Sequence, residues 1–194
     1  MKRHIVALAV SCLALSCASG AKNESGAEER EARASVRAAE TDPSFRGDFQ
    51  VEVKGEGGER TITLTGYIGP GGDLAIPDRI DSIPVTVIGE EAFKGCDGLS
   101  RVVIPDTVVS IGDWAFTECE NLSDLVIPES VVSIGRSAFS WCVSLASVTI
   151  PESVVSIGER GFSYCDRLRS VTLSRNTTVG VEAFPKEAVI THHP

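Results

Sequence analysis

From Leu99 to Leu173 the apolar positions return on a fixed step of 23 residues. Phe93, Phe116, Phe139 and Phe162 keep the step, and Cys96, Cys119, Cys142 and Cys165 keep it three positions later. Ile104-Pro105, Ile127-Pro128 and Ile150-Pro151 keep it again. A unit this short cannot bury its apolar face alone, so successive units must stack into a solenoid. Within one unit, Leu125 and Ile127 alternate with polar or small residues, as a half-buried strand does. Pro128 lacks an amide hydrogen and ends that ladder. Val131 and Ile134 supply two more inward positions, and Gly135 suits a tight corner. Ala138 and Cys142, four apart with Phe139 between them, predict a single helical turn that only packing can hold.

The pattern changes at both ends of the array. Apolar alternation begins at Phe45 and runs through Phe49, Val51 and Val53, a glycine-rich turn follows at Gly55 to Glu59, and Ile62, Leu64 and Tyr67 come after it. Two alternating runs around such a turn predict a β-hairpin, so residues 45–73 form an N-terminal cap on a coil spanning residues 74–194. Gly69-Pro70-Gly71-Gly72 reads as turn chemistry and not as a phosphate loop, because no Lys-Ser/Thr pair and no helical pattern follow it. The coil holds about four to five units. In its first unit Ile76 lies 17 residues before Phe93, against 12 later on, which predicts a longer loop within Asp78 to Val85. In its last, Pro185-Lys186 replaces the residues leading to Cys, which makes 174–194 a degenerate C-terminal cap.

The other end of the chain follows different rules. Lys2 and Arg3 precede a short apolar run, Ile5 to Leu15, too brief to cross a bilayer and typical of an export signal over residues 1–16. Ser16-Cys17-Ala18 after Leu13-Ala14-Leu15 resembles a lipobox, so cleavage would leave Cys17 as a lipidated first residue. Ordinary cleavage after the Ala-Ser-Gly stretch is the competing reading, and it would release a secreted protein. Residues 17–44 are small and charged with almost no large apolar side chain, a solvated tether.

Composition refines the picture in two places. With 27 acidic residues against 18 Lys and Arg, the chain has a formal net charge of −9, more negative once Lys2 and Arg3 leave. That excludes a basic footprint for nucleic acid and leaves a lipid anchor as the only membrane contact. Cys12 leaves with the signal and Cys17 takes lipid, so the remaining four of the 6 cysteines are those of the repeat. Equivalent residues of adjacent coils lie roughly 4.8 Å apart, more than a disulfide tolerates at Cβ. A ladder of buried thiols is therefore expected, with neither disulfides nor a metal, because ligands in one line cannot surround an ion.

The sentence Ile-Pro-x-Ser/Thr-Val-x-x-Ile-Gly-x-x-Ala/Gly-Phe-x-x-Cys-x-x-Leu resembles the BspA-like, or Treponema pallidum-type, leucine-rich repeat over residues 74–194. Ile62-Thr-Leu-Thr-Gly-Tyr-Ile-Gly69 resembles the segment that often precedes such repeats. The resemblance implies a β-rich leucine-rich-repeat coil and an exported or surface protein, in some members an adhesin for host matrix proteins or for other bacteria.

Candidate binding positions are those the repeat leaves free. Outward strand residues form two rows, Arg101, Asp124, Ser147, Ser170 and Val103, Val126, Thr149, Thr172. The second is a flat row of small side chains that suits protein docking, although β-branched residues also simply suit strands. Trp141 and Tyr164 share the slot before Cys in adjacent coils, and rings are favoured interface anchors. Asp78, Asp106, Glu129 and Glu152 follow each Pro as an acidic row, best explained by solvation. Histidines occur only at His4, His192 and His193, and no hydrolase, zinc-protease or nucleotide-binding motif is present, so catalytic residues and cofactors are not expected. The expectation is a monomeric, exported protein-binding scaffold, an outer-membrane lipoprotein with a protein ligand such as host extracellular matrix. The alternative is a structural envelope lipoprotein without an external ligand.

Overall fold

The computed structural model describes residues 47–193. The export signal, the tether, Cys17 and Phe45 lie outside the described residues. Alternation in the first segment gives β1 (Phe49–Lys54) and β2 (Thr61–Tyr67), paired antiparallel as the expected hairpin. The coil then supplies β3 (Gly72–Ala75), β4 (Arg79–Ile80), β5 (Ile83–Ile88), β6 (Leu99–Val103), β7 (Ser110–Ile111), β8 (Asp124–Val126) and β9 (Ser133–Ile134). It ends with β10 (Ser147–Thr149), β11 (Ser156–Ile157), β12 (Ser170–Leu173), β13 (Thr178–Val179) and β14 (Val189–His192).

Each turn of the coil lays one strand on each of two faces. One face is the sheet β1-β2-β5-β7-β9-β11-β13, and the other carries β3-β6-β8 and β10-β12-β14. Pairing along the coil is parallel and matches the 23-residue beat: Ser110 faces Ser133, Arg101 faces Asp124, and Ser147 faces Ser170. The repeat is thus a spatial column as well as a sequence period. Phe93, Phe116, Phe139 and Phe162 stack down the axis with ring centres 4.6, 5.1 and 4.9 Å apart. Tyr67 of the hairpin sits 5.3 Å from Phe93, and Phe184 sits 5.4 Å from Phe162. The hairpin caps the coil by continuing its aromatic stack, which protects an otherwise open apolar end.

The helical turn is not there. The corner is built of turns, because two of its positions take left-handed backbone that no right-handed helix accepts. These are the columns Glu91, Trp114, Ser137, Arg160 and Gly95, Glu118, Trp141, Tyr164, with φ between 53° and 67° apart from 50° at Ser137. The amides a helix would use internally go to the next coil, Phe93 N–H donating to Ala115 O and Phe116 N–H to Ala138 O, each at 2.7 Å.

Three other expectations shift. The inserted residues of the first unit form a small hairpin, β4 on β5, turned by Asp81 and Ser82 at φ 54° and 64°. The coil has about six turns and not four to five, since its first and last units still contribute paired strands. Residues 174–193 are accordingly a further turn of the coil, with β13 on β11 and β14 on β12.

Candidate functional site

The thiols occupy the interior of the corner. Cys119, Cys142 and Cys165 are fully buried, and each donates its S–H to the Phe carbonyl of the preceding coil, at 3.1, 3.3 and 3.1 Å. Burial pushes the Cys119 thiol up to about 12. Cys142 is raised too, first by its contact with Cys165 and then by burial. Cys96 heads the column, is only half-buried, and is raised by desolvation and by the neighbouring Asp97. Neutral, hydrogen-bonded thiols of this kind are structural and unreactive.

On the outside of the same corner stand Trp141 and Tyr164. Their rings stack with centres 4.6 Å apart and planes 17° from parallel, and they stay 46% and 53% exposed. Their backbone sits at φ 64° and 58°, in the slot that Gly95 fills in an earlier coil. A bulky residue held there costs roughly 1–3 kcal/mol. Trp114 belongs to the other left-handed column, and the Arg136 guanidinium of the next coil lies 5.5 Å over its ring. Buried hydroxyls one position earlier tie successive coils together, Thr117 donating to Ser140 O and Ser140 to Ser163 O, both at 3.2 Å.

The strand rows are divided. Arg101 and Asp124 form an ion pair at 3.0 Å, and Ser147 and Ser170 continue that row as neutral hydroxyl positions. In the second row Thr149 is exposed, Val126 and Thr172 are half-buried, and Val103 is 8% exposed, so Val103 offers almost no surface to a partner. Thr172 shares a hydroxyl hydrogen bond of 3.0 Å with Thr191. In the acidic row Asp106, Glu129 and Glu152 are exposed, whereas Asp78 is half-buried and its Oδ1 is enclosed without a hydrogen-bond partner.

A column that the alternation did not single out runs down the opposite sheet. Val109, Val132 and Val155 are 44%, 45% and 59% exposed, each amide reaching the residue above it in the column. The signal was present as doubled valines: Val108, Val131 and Val154 point in, and the second valine of each pair points out. Among the described residues no three His, Cys, Asp or Glu side chains are grouped to hold a metal ion.

This coil and its corner match a known repeat. The model of the BspA type leucine rich repeat region fits residues 80–192 in 6 copies. The chain belongs to that family. A leucine rich repeat protein of T. pallidum superposes with a TM-score of 0.70 at 35% identity, covering 78% of this chain and 70% of its own. A leucine-rich repeat protein of Bacteroides ovatus gives 0.63 at 32% identity, covering 76% and 40%. A leucine rich cell surface protein of Faecalibacterium prausnitzii gives 0.60 at 27%, covering 73% and 37%. The chain therefore spans well under half of the latter two relatives. Among curated proteins none matches. BspA-type membership accounts for the Phe and Cys columns and the strand ladder, all of which recur coil after coil. It does not account for the rings at positions 141 and 164, where other coils carry Gly95 and Glu118.

Proposed function

We propose that this BspA-type protein is an exported protein-binding scaffold of a bacterial envelope, anchored by lipid on Cys17 and docking a surface protein such as host extracellular matrix. Trp141 and Tyr164 are its anchors, and the exposed strand residues Val126, Thr149 and Thr172 are its flanking contact surface. The observation that carries the reading is the stacked, half-exposed aromatic pair in a backbone slot unfavourable to large side chains. Other coils form without rings there, so their presence points outward to a partner and not inward to folding. Similarity to a cell surface protein supports placement on the envelope.

The test combines location with affinity. Metabolic labelling with a fatty acid should mark the wild-type chain and not Cys17→Ser. Protease added to intact cells should cut the repeats. The chain should bind immobilised matrix proteins, and Trp141→Ala and Tyr164→Ala should each weaken that binding at least tenfold. Repeats protected until the envelope is broken would sink the adhesin reading in favour of a structural lipoprotein. Unchanged affinity in both variants would remove the anchors.

A further inference from the structure

Glu118, Trp141 and Tyr164 form a single column on successive coils, with φ of 62°, 64° and 58°. The Glu118 amide donates to Ser140 O and the Trp141 amide to Ser163 O, at 2.9 and 3.0 Å, which sets Glu118 one strand spacing, roughly 4.8 Å, from Trp141. Tyr164 covers one face of the indole. The other face is turned toward the coil that carries the exposed Glu118 carboxylate. Among the described residues no cation stands over that face, whereas the chain supplies one to its other tryptophan, with Arg136 over Trp114. Of the bases around this column, Lys94 is hydrogen-bonded to Glu91 and also within electrostatic reach of Glu118, while Arg160 pairs with Glu159 and Glu182. Glu120 adds a second exposed carboxylate two positions along the same coil as Glu118.

We propose that this column receives an arginine side chain of the protein partner, the guanidinium lying on the open face of Trp141 and donating to the Glu118 carboxylate. The proposal rests on the reading of Trp141 and Tyr164 as the docking anchors, and it names what they dock. A planar guanidinium is the cation that fits, because it stacks on a ring while its N–H groups remain free in the ring plane for a carboxylate. The packing of Arg136 on Trp114 is the same pairing made within the chain. Acidic side chains prevail in the coils on the Glu118 side, whereas beyond Trp141 the five bases are matched by five acids, Glu152, Glu159, Asp166, Glu182 and Glu187. An incoming arginine is therefore drawn to the Glu118 end of the stack, with no comparable net charge to draw it to the other.

The probe is a capped Gly-Arg-Gly-Arg-Gly peptide, titrated into the full chain at low salt and followed by amide and indole shifts, beside a peptide with citrulline for arginine. Citrulline keeps the planar shape and loses the charge. Binding should saturate and be centred on Trp141. The citrulline peptide should bind at least threefold more weakly, and Glu118→Gln should weaken the arginine peptide about threefold, the range of an exposed cation–π or ion pair. Glu152→Gln, an exposed carboxylate in another column, should change nothing. Equal binding of both peptides, or equal weakening by Glu152→Gln, would overturn the proposal and leave diffuse attraction to an acidic protein. Loss of matrix binding in Trp141→Ala without any effect of Glu118→Gln would reject arginine while keeping the anchors. A seated arginine peptide with no matrix binding would keep the proposal and reject matrix as the ligand.

Discussion

Replacing Gly135 by alanine tests the spacing of the coil directly. The backbone of Gly135 is outside the left-handed region, so conformation alone would tolerate a side chain. Space would not. A Cβ there would lie 2.6 Å from Asp113 N and 2.6 Å from Gly112 C, both backbone atoms of the preceding coil. Relief to ordinary contact, about 3.5 Å, requires the coils to part locally by roughly 1 Å. That movement stretches Gly135 N–H to Ile111 O from 2.8 Å and Arg136 N–H to the Asp113 carboxylate from 2.7 Å, both past useful hydrogen-bond length. Two such bonds are worth about 1 kcal/mol each or somewhat more, and overpacking adds about 1–3 kcal/mol. The expected loss is about 3–5 kcal/mol, read as a fall in the urea midpoint by far-ultraviolet circular dichroism. Gly58→Ala is the control, since its Cβ would meet nothing within 4 Å and its φ is ordinary. It should be neutral or stabilising by about 0.4–1 kcal/mol. A Gly135→Ala midpoint equal to that of Gly58→Ala would refute the spacing argument.

Other expectations use the same denaturation assay. Phe139→Ala removes a fully buried ring stacked on both sides and should cost about 3–5 kcal/mol. Trp141→Gly relieves backbone strain while losing one stack worth about 0.5–1.5 kcal/mol, so stability should stay within about 1 kcal/mol of wild type. A large loss would make the ring structural. The Cys119 thiol, pushed up to about 12, loses its proton only around that pH, while the unfolded chain releases it near the ordinary 9.0. Its contribution is therefore complete below pH 9 and is lost as pH rises toward 12, by roughly 1.4 kcal/mol per pH unit. Cys119→Ala should flatten that alkaline slope. Among the four repeat cysteines, a thiol reagent applied to the native chain should modify Cys96 first and leave Cys119, Cys142 and Cys165 slow.

Much of the coil could be read from the chain because its information is periodic. Phe139 and Cys142 announce their surroundings by recurring, and a recurring residue in a solenoid has its own copy above and below. The hairpin was equally readable, since period-two alternation survives without tertiary contacts. The corner was not legible in the sequence, for a physical reason. Ala138 and Cys142 have helical spacing, but the left-handed residues Ser137 and Trp141 carry no residue-type signal, and it is the neighbouring coil that takes their amides. Gly135 suits a turn by residue type, but its real constraint is the approach of another coil.

Sequence alone settled the period, and with it the stacking direction, the Phe and Cys columns and the pairing of Trp141 with Tyr164, because a fixed step converts position along the chain into position along the axis. The tertiary structure decided what the step cannot encode: which of two adjacent valines is wet, that Val103 is covered, and that the aromatic rings occupy strained slots. Those depend on the curvature of each corner and the close approach of neighbouring backbones, interactions between coils that no single repeat contains.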